Sequence, residues 1–394
     1  MTEWRSVKLG EAAKEVTVGF VGSMSKEYQD AGIPFLRSQN VRPHRIDVEN
    51  MKFISESFHG HLKKSALKPG DVVTVRTGKP GQTAVVPSWL TVANCSDLVI
   101  TRPGPGLDAH WLSYHLNWIT DSHISGHLVG AVQQHFNVKS AQSLDILLPP
   151  IEEQQAIAEA LKALDDKIAV DDFIASKSIE LAELNYKRSI SDKARRSMSS
   201  VLEPVLGGTP PRTDESMWGG PIAWASAKDI TGAPYGIVIS TSETISKKAA
   251  EKKRTSPLPT GTVVLTARGT VGAVARLGVP SSINQSCYGF IPGPIPTNCL
   301  FFTVKDAANQ AQAMAHGSVF DTITMNTFDH VRVPDLSTHE WQLIEKDISP
   351  LVNFAQQRLI ESAALENTRD SLLPLLMSGK IRVRDAEKVV EEVV

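Results

Sequence analysis

The chain has little of several features that would narrow its function at once. It has three cysteines in 394 residues, and they are odd in number and lack CxxC spacing: Cys95, Cys287 and Cys299. This pattern excludes a disulfide framework and a cysteine-rich zinc site, and it is typical of a reducing cytoplasm. No stretch approaches the roughly 18 apolar residues of a membrane helix, and the N-terminus leads into no apolar export segment. We therefore expect a soluble cytoplasmic protein with no membrane partner.

A surplus of charge of either sign is also lacking. The chain has 41 Lys and Arg residues against 43 Asp and Glu residues. Residues 1–150 hold 15 basic and 13 acidic groups, and residues 200–336 hold 11 and 10. Neither segment is the basic block that binds nucleic acid by bulk electrostatics. If the ligand is DNA, the affinity must come from local patches or from partner subunits.

Sequence motifs of catalysis are missing as well. Thr77-Gly78-Lys79-Pro80 lacks the upstream glycine and the following hydroxyl of a phosphate loop. Pro334-Asp335 with Glu340 lacks the Glu-x-Lys partner of a magnesium-dependent nuclease, and no Gly-x-Ser-x-Gly elbow occurs. Eight of the eleven histidines fall within the first 150 residues without a convergent set of further metal ligands. The sequence therefore predicts no catalytic residue and no metal site, and it indicates a binding protein.

What the chain does contain is a repeat of itself at a shift of about 190 residues. Four blocks return in the same order: Ile33–Val41 as Ile222–Ile230, Gly70-x-Val72-Val73 as Gly261-x-Val263-Val264, Gly78-x-x-Gly81 as Gly269-x-x-Gly272, and Ile146-x-Leu148-Pro149 as Val331-x-Val333-Pro334. This order indicates duplication of a whole domain plus helix. An internal two-fold arrangement suits a two-sided ligand, and duplex DNA is the commonest such ligand.

Each copy of the repeat predicts an α+β domain followed by a long helix. Short apolar runs such as Asp71–Val75, Asp97–Ile100 and Thr262–Thr266 are strand-like and are separated by Gly-Pro turns, and a helix is predicted around residues 109–119. The predicted α+β domains are residues 1–148 (domain 1) and 199–336 (domain 2). The predicted long helices are residues 149–198 and 337–381, and a C-terminal tail follows at 382–394.

The first helical segment has an apolar seam at alternating spacings of four and three, which is typical of a helix that faces another helix. Its residues are Ile157, Leu161, Leu164 and Ile168. The seam weakens at Asp171-Asp172 and resumes out of phase through Ile174, Leu181 and Leu184, so the predicted helix runs to about residue 195.

The second helical segment begins with Ser337-x-x-Glu340, which has the form of a capping box. Its apolar positions fall on one heptad grid: Trp341, Ile344, Ile348, Leu351, Ala355, Leu365, Leu372 and Leu376, with Arg358, Ser362 and Arg369 as polar interruptions. Pro350 and Pro374 predict kinks or breaks, and Ser378-Gly379 predicts the end. The two seams predict that the two long helices pair with each other within the chain. The alternative is two ordinary amphipathic helices, each on a domain core.

Together these pieces resemble the specificity (S, HsdS) subunit of type I restriction-modification systems. The motifs that carry the resemblance are Trp4-x-x-Val7-x-Leu9-Gly10-Glu11, the central junction Leu148-Pro149-Pro150-Ile151-Glu152-Glu153-Gln154, and Leu372-Leu373-Pro374-Leu375-Leu376-Met377-Ser378-Gly379-Lys380-Ile381. They span essentially the whole chain. The second junction, Pro334–Trp341, departs from the pattern because it lacks the Glu-Gln pair.

The resemblance implies that domains 1 and 2 are target recognition domains, each reading one half of a split site in double-stranded DNA. The long helices would pair as an antiparallel coiled coil, set the unread spacer and dock two methyltransferase (M) subunits. The chain itself would hold no cofactor. S-adenosylmethionine would belong to the M subunits, and ATP and Mg would belong to a restriction and translocase (R) subunit. The alternative from another class is a coiled-coil scaffold that binds proteins and has no sequence-specific DNA binding.

Candidate DNA contacts are polar residues that follow the repeated blocks, because paired donors and acceptors read base edges and glycine turns approach phosphates. In domain 1 they are Arg37, Ser38, Gln39, Asn40, Arg42, Arg76, Thr77, Lys79, Gln133, Gln134, His135 and Lys139. In domain 2 they are Ser226, Lys228, Asp229, Arg268, Thr270, Thr322, Thr324 and Asn326. The alternative is ordinary polar loops. Lys247-Lys248 and Lys252-Lys253-Arg254 form a dense basic run suited to phosphates, or else a solvated helix face.

Overall fold

The chain folds as two units that each combine an α+β domain with parts of the long helices. The computed structural model describes residues 4–125, 136–315 and 322–391. One unit comprises Met1–Asp166 and Leu365–Val394, and the other comprises Lys167–Ala364. The α+β fold class with two repeated domains and two paired long helices is confirmed. Within the described ranges, no helix is long and apolar enough to cross a membrane.

Domain 1 contains two principal sheets, with strand orders β6-β3-β10-β7 and β2-β11-β8-β9. Its strands are β1 Arg5–Lys8, β2 Ala13–Val18, β3 Ile33–Leu36, β4 Val41–Arg42, β5 Arg45–Ile46, β6 Lys52–Ile54, β7 Ala66–Leu67, β8 Val72–Val75, β9 Thr83–Val85, β10 Ala93–Cys95, β11 Leu98–Pro103 and β12 Asp145–Leu148. Its helices are α1 Leu9–Ala12, α2 Glu56–His61, α3 Ala109–Ser125 and α4 Val138–Ser143. The long helix α5, Ile151–Ile190, follows.

Domain 2 repeats this plan with the orders β17-β15-β20 and β14-β21-β18-β19-β16. Its strands are β13 Arg195–Ser197, β14 Val205–Leu206, β15 Trp218–Ala225, β16 Ile237–Val238, β17 Glu243–Ile245, β18 Val263–Thr266, β19 Val274–Leu277, β20 Ser281–Ile283, β21 Cys287–Phe290 and β22 Arg332–Pro334. Its helices are α6 Ala227–Gly232, α7 Lys247–Ala250, α8 Thr297–Ala315 and α9 Thr327–His330. The long helix α10, Thr338–Met377, and the short α11, Val383–Glu391, complete the chain.

Each domain is closed by pairing its first strand with its last. Strand β1 pairs antiparallel with β12, and β13 pairs antiparallel with β22. In both domains a parallel pair, β3 with β10 and β15 with β20, lies beside the polar segments named above. Apolar strand residues such as Val73 and Val264 are fully buried, so the short apolar runs in the sequence correspond to core strands.

The repeated glycines all adopt a left-handed backbone conformation. Their φ angles are 85° at Gly70, 87° at Gly78, 92° at Gly81, 88° at Gly261, 80° at Gly269 and 87° at Gly272. A Cβ at Gly81 would also lie 2.2 Å from Thr120 Oγ1, whereas a Cβ at Gly78 would meet nothing within 4 Å. The repeat therefore preserves glycine because the turns require positive φ.

The two long helices have 40 residues each, and their ends partly correct the sequence prediction. Helix α5 ends at Ile190 rather than near residue 195, because residues 195–197 leave the helix and pair as β13. Helix α10 is continuous through Pro350 and Pro374, so no break occurs there, while a kink at either proline stays a prediction. Its capping box is confirmed: the Ser337 amide donates to Glu340 at 2.9 Å, and the Glu340 amide donates to Ser337 Oγ at 3.3 Å. Gly379, with φ of 69°, follows its last turn as predicted.

Polar pairs hold α5 antiparallel to α10 within the second unit. Lys167 contacts Glu361 at 2.6 Å, and the buried Asp171 contacts Arg358 at 3.3 Å. Residues later in α5 therefore contact residues earlier in α10, so the two helices run in opposite directions. Asp171 and Arg358 are each the twenty-first residue of their helix. Equivalent positions of the two long helices therefore pair with each other.

The predicted seam is partly confirmed by burial. Its buried members are Ile157, Leu161, Leu164, Ile344, Ile348, Leu365 and Leu372, while Ile168 and Leu351 are half-buried. Leu181 and Leu184 are 49% and 59% exposed, so their assignment to the seam was wrong. In this part of α5 the buried face is shifted to residues that pack on domain 2, such as Ile179 and Tyr186, and the Tyr186 hydroxyl hydrogen-bonds to Thr303 Oγ1 at 2.8 Å.

We expect Gly81→Ala to lower the free energy of unfolding by about 2–3 kcal/mol, because it combines backbone strain with the clash against Thr120. Gly78→Ala should cost only about 1 kcal/mol, since its strained φ is not accompanied by a clash. Urea unfolding of the full chain measures both values. Equal losses would contradict the distinct role assigned to Gly81.

Candidate nucleic-acid interface

Three polar segments in each domain contain the predicted DNA-contact residues. We call them the reading segment (residues 37–42 and 226–229), the glycine loop (76–81 and 267–272) and the junction segment (136–139 and 322–326). Gln133, Gln134 and His135 lie outside the described residues. The other candidates can be placed, and the backbone brings the three segments of each domain together.

In domain 1 the segments are joined through residues 96 and 97. The Ser96 amide donates to the carbonyl of Leu36, directly before the reading segment, at 3.0 Å. The carboxylate of Asp97 accepts from Thr77 Oγ1 at 2.6 Å and pairs with Arg76 at 2.9 Å. The junction segment then closes on the glycine loop, because the Phe136 amide donates to the Arg76 carbonyl at 3.3 Å.

Domain 2 joins its three segments in the same order, but its glycine loop is held by a backbone hydrogen bond rather than by an aspartate side chain. The Asn284 amide donates to the carbonyl of Ala225, directly before the reading segment, at 3.0 Å. The Ala267 amide donates to the Ser286 carbonyl at 2.7 Å, and the Ile323 amide donates to the Ala267 carbonyl at 3.1 Å. We call this meeting place of the three segments the polar edge; each domain has one.

Within the reading segment of domain 1, Asn40 has an internal role that sequence analysis missed. It is fully buried: its Oδ1 accepts from the Arg37 amide at 3.1 Å, and its Nδ2 donates to the carbonyls of Asp47 at 3.0 Å and Glu49 at 3.4 Å. Both faces of the amide are therefore occupied. The structure corrects the prediction for this residue, because the amide that was to read adenine instead shapes the loop.

Asp229 holds the equivalent place in domain 2. Its carboxylate accepts from the Ser226 amide at 2.8 Å and the Ser226 hydroxyl at 2.7 Å, forming a capping box at the start of α6, and from the Ser242 amide at 3.0 Å. Burial alone would raise the pKa of Asp229, but the hydrogen bonds from Ser226 and Ser242 outweigh it and hold the pKa below its usual value. Ser226 and Asp229 are thus engaged with each other.

The neighbouring positions, Gln39 and Lys228, differ from these because both side chains are exposed. They occupy equivalent places, one residue before Asn40 and Asp229. Arg37 is half-buried and donates to the Asn50 carbonyl at 2.6 Å, and Arg42 pairs with Asp47 at 3.3 Å. Ser38 is also half-buried. Gln39 and Lys228 therefore present the freest chemistry of the reading segments.

The remaining candidates divide in the same way. Arg76 and Thr77 are bound to Asp97, and Thr322 is half-buried. The exposed candidates of the other two segments are Lys79, Lys139, Arg268, Thr270, Thr324 and Asn326. Their contact with DNA stays a prediction, but all belong to segments that meet at a polar edge.

Asp97 is a residue of the polar edge that sequence analysis missed. The sequence placed it inside a strand, but the strand begins at Leu98 and Asp97 has a φ of 54°. An aspartate directly before an apolar strand and after Asn94-Cys95-Ser96 was the available signal, since short polar side chains tolerate this conformation. Its carboxylate organises the glycine loop of domain 1.

The described residues offer no group of three or more His, Cys, Asp or Glu side chains that could hold a metal ion. The three cysteines are buried, and burial raises the pKa of each thiol, that of Cys287 to about 12. Thiols of this kind are structural rather than reactive.

Residues of the family motifs connect the long helices to other elements of their units. Glu153 of the central junction accepts from Trp4 Nε1 at 3.0 Å and pairs with Arg382. Gln154, fully buried, accepts from the Asp108 amide at 2.9 Å before α3. In the second junction Trp341 stands at the place of Gln154, and Glu345 one turn later accepts from the amides that begin α8, that of Cys299 at 2.9 Å. A different residue thus supplies the missing Glu-Gln contact.

Comparison with known proteins agrees with this architecture. The family model described as the type I restriction modification DNA specificity domain matches residues 1–177 and again residues 192–356. The chain therefore belongs to this family, with one copy of the domain in each half, and the resemblance to type I specificity subunits is confirmed.

Individual relatives are distant in sequence. The type I restriction enzyme MjaIX specificity subunit of Methanocaldococcus jannaschii is 26% identical over 195 residues, which cover 48% of this chain and 45% of that protein. A protein of the same organism, named for the specificity subunit of MjaX, is 19% identical over 97% of this chain and 94% of its own length. The crystal structure of a type I S subunit from M. genitalium shares the fold with a TM-score of 0.62 at 13% identity, covering 95% of this chain and 96% of that one.

We expect Asn40→Ala to lower the free energy of unfolding by about 1–3 kcal/mol, because it leaves buried backbone groups without partners. Gln39→Ala should change it by less than about 0.5 kcal/mol, since the side chain is exposed. Urea titration of both variants separates the two roles. A larger loss for Gln39→Ala would refute the assignment.

Proposed function

We propose that this chain is the DNA-reading subunit of a type I restriction-modification complex. Each α+β domain reads one half of a bipartite site in double-stranded DNA. One observation carries the proposal: in both domains backbone hydrogen bonds join the reading segment and the junction segment to the same polar edge, but different exposed side chains lie on it. A shared frame with unlike contact chemistry is what two readers of unlike half-sites need.

The proposal assigns no catalytic step to this chain. Adenine methylation would be carried out by M subunits with S-adenosylmethionine, and cleavage by an R subunit with ATP and Mg. The near-neutral charge of both domains fits this division, because partner subunits then supply much of the phosphate contact. Three buried free thiols fit a cytoplasmic location.

Within the reading segments, Gln39 and Lys228 are the side chains we assign to base recognition. A glutamine amide matches the N6 and N7 atoms of adenine, and a lysine ammonium matches the O6 and N7 acceptors of guanine. Asn40 and Asp229 position Gln39 and Lys228, because each accepts a backbone hydrogen bond that fixes its reading segment.

The chain co-expressed with a cognate M subunit should methylate adenines within a single bipartite motif, seen by mapping methylated bases across a genome. Gln39→Ala should relax only the first half of the motif and Lys228→Ala only the second, with discrimination at one base reduced by about 1–3 kcal/mol, or roughly tenfold to a hundredfold. Because the two variants change exposed side chains, each serves as the folding control for the other.

Absence of any bipartite motif with the unaltered chain would reject the proposed function and favour the scaffold alternative. A motif that both variants leave intact would reject only the assignment of Gln39 and Lys228.

The long helices would dock the partner subunits and set the spacer between half-sites. Both helices expose large apolar side chains: Val170, Phe173, Leu181 and Leu184 on α5, and Leu343, Phe354 and Ile360 on α10. Phe173 and Ile360, 62% and 52% exposed, are each the twenty-third residue of their helix. Matched apolar positions on the two repeats are what two copies of one partner would need.

Phe173→Asp and Ile360→Asp should each weaken docking of one M subunit, because a charge then replaces an apolar contact. Native mass spectrometry of the co-purified complex would show a shift from two bound M subunits toward one, and the double variant would lose both. Asn367→Asp, which also adds a charge to an exposed position of α10, is the matched control. Full occupancy in the double variant would exclude these residues from the interface.

A further inference from the structure

The positive charge of domain 2 is concentrated in one short stretch. Five of the eleven basic groups in residues 200–336 are Lys247, Lys248, Lys252, Lys253 and Arg254, and Glu251 is the one carboxylate among them. All five cations are exposed, and within the described part of the chain none forms an ion pair. We call residues 247–254 the basic turn. The rest of domain 2 has more acidic than basic groups, so the domain is neutral in sum but strongly polarised.

The backbone of the basic turn is fixed at both ends, by a helix cap and by buried residues. Ser246 caps α7 by accepting from the Ala249 amide at 3.3 Å, and Ala249 is buried against Met217, Trp224 and Ile245. At the other end Thr255 is buried. Its hydroxyl donates to the Ala249 carbonyl at 2.5 Å, and its carbonyl accepts from Ser282 Oγ at 2.6 Å. The backbone is therefore ordered before binding, so only the cationic side chains lose conformational freedom when a ligand binds.

The basic turn borders the polar edge of domain 2. Gly208 packs against Arg254 so closely that a Cβ on this glycine would lie 2.8 Å from the Arg254 Cβ. The amide of Gly208 donates to the Ile283 carbonyl at 2.9 Å, and the next residue, Asn284, bonds to Ala225 before the reading segment. One glycine segment thus separates the cations from the residues assigned to base recognition.

Domain 1 has a weaker counterpart. Lys63-Lys64-Ser65 matches Lys253-Arg254-Thr255, with both cations exposed and Ser65 buried in the place of Thr255. The Ser65 carbonyl also lies 3.9 Å from a strand side chain, the Cys95 thiol. However, the capped helix of domain 1 begins with Glu56-Ser57 where domain 2 has two lysines. The duplication therefore kept the position of the cations but made their density unequal.

We propose that the basic turn binds the sugar-phosphate backbone of DNA beside the second half-site, and that domain 2 holds this backbone more strongly than domain 1. The inference rests on the proposed function. The ligand is a line of phosphates rather than a base, because Lys and Arg side chains in a row without acceptors neutralise charge but do not discriminate base edges. The Asp214 carboxylate faces the basic turn: the hydrogen bond from the Ser216 hydroxyl, together with the charges of Lys248 and Lys252, lowers its pKa.

The test uses the complete complex with its M subunits and a duplex that carries the motif found by methylation mapping. Specific binding is measured over a series of salt concentrations for the unaltered chain, for K252Q/K253Q/R254Q and for K63Q/K64Q. Each phosphate contact contributes about 0.9 to the slope of log Kobs against log salt. We expect the slope to fall by about 2 to 3 for the triple variant and by about 1 for the double variant. The methylated motif should stay unchanged in both.

Glu251→Gln is the control within the same turn. It removes the one carboxylate at constant size, so binding should become about twofold to tenfold tighter at low salt. Circular dichroism and thermal unfolding verify that all variants are folded, and Glu251→Gln keeps the test decisive if the triple variant fails to fold.

The outcomes separate the two levels of inference. If the unaltered complex methylates no bipartite motif, the proposed function itself fails. If it does, an unchanged salt slope in the triple variant, or Glu251→Gln without tighter binding, overturns the role of the basic turn alone. A changed motif in the triple variant would also overturn it, because it would make these residues base readers.

Discussion

The structure depends on a polar side chain from each long helix that holds the start of a helix in the adjoining domain. Helix beginnings leave amide donors without partners, and a buried beginning needs an acceptor from elsewhere. Gln154 of α5 accepts from Asp108 before α3, and Glu345 of α10 accepts from the first amides of α8. A carboxylate is favoured there by the helix dipole. Each domain is thereby fixed on its helix, and the polar edge has a defined position within its unit.

This constraint separates residues that build the frame from residues that are free to vary. Asn40 and Asp229 use different chemistry for the same task, since each accepts from the backbone amide three residues earlier. The neighbouring side chains of Gln39 and Lys228 are exposed and do not take part in these backbone contacts. A change at these exposed positions leaves the fold intact, so contact chemistry can diverge on a constant scaffold.

Much of the fold could be read from the sequence, because the repeat, the glycine turns and the helix junctions are local patterns. The repeated glycines marked turns, which the structure places at positive φ, and Ser337 with Glu340 marked a helix start. Patterns failed where tertiary contacts decide. Leu181 and Leu184 keep a helical spacing, but the packing of domain 2 against α5 rotates the buried face to Ile179 and Tyr186. Pro350 and Pro374 do not interrupt α10, although proline removes a backbone donor from a helix interior.

The sequence predicted the segments of the candidate site, but it could not separate their residues into structural and exposed ones. Composition cannot tell a polar loop residue that faces inward from one that faces solvent, and Asn40 and Gln39 are adjacent in the chain. Only the partners of Asn40, the carbonyls of Asp47 and Glu49, decide between them, and these lie several residues away. Asp97 was missed for a related reason, because its conformation departs from the strand that follows it.

The pairing of Asp171 with Arg358 also bears on how the two halves became committed to each other. A duplicated domain could assemble with an identical copy, and the equivalent helix positions would then meet across the axis. Two copies of the first half would bring Asp171 against Asp171, and two copies of the second would bring Arg358 against Arg358. Like charges in a buried place repel strongly, whereas the unlike pair attracts. Opposite charges at one matched position thus make the halves complementary to each other and poor partners for themselves.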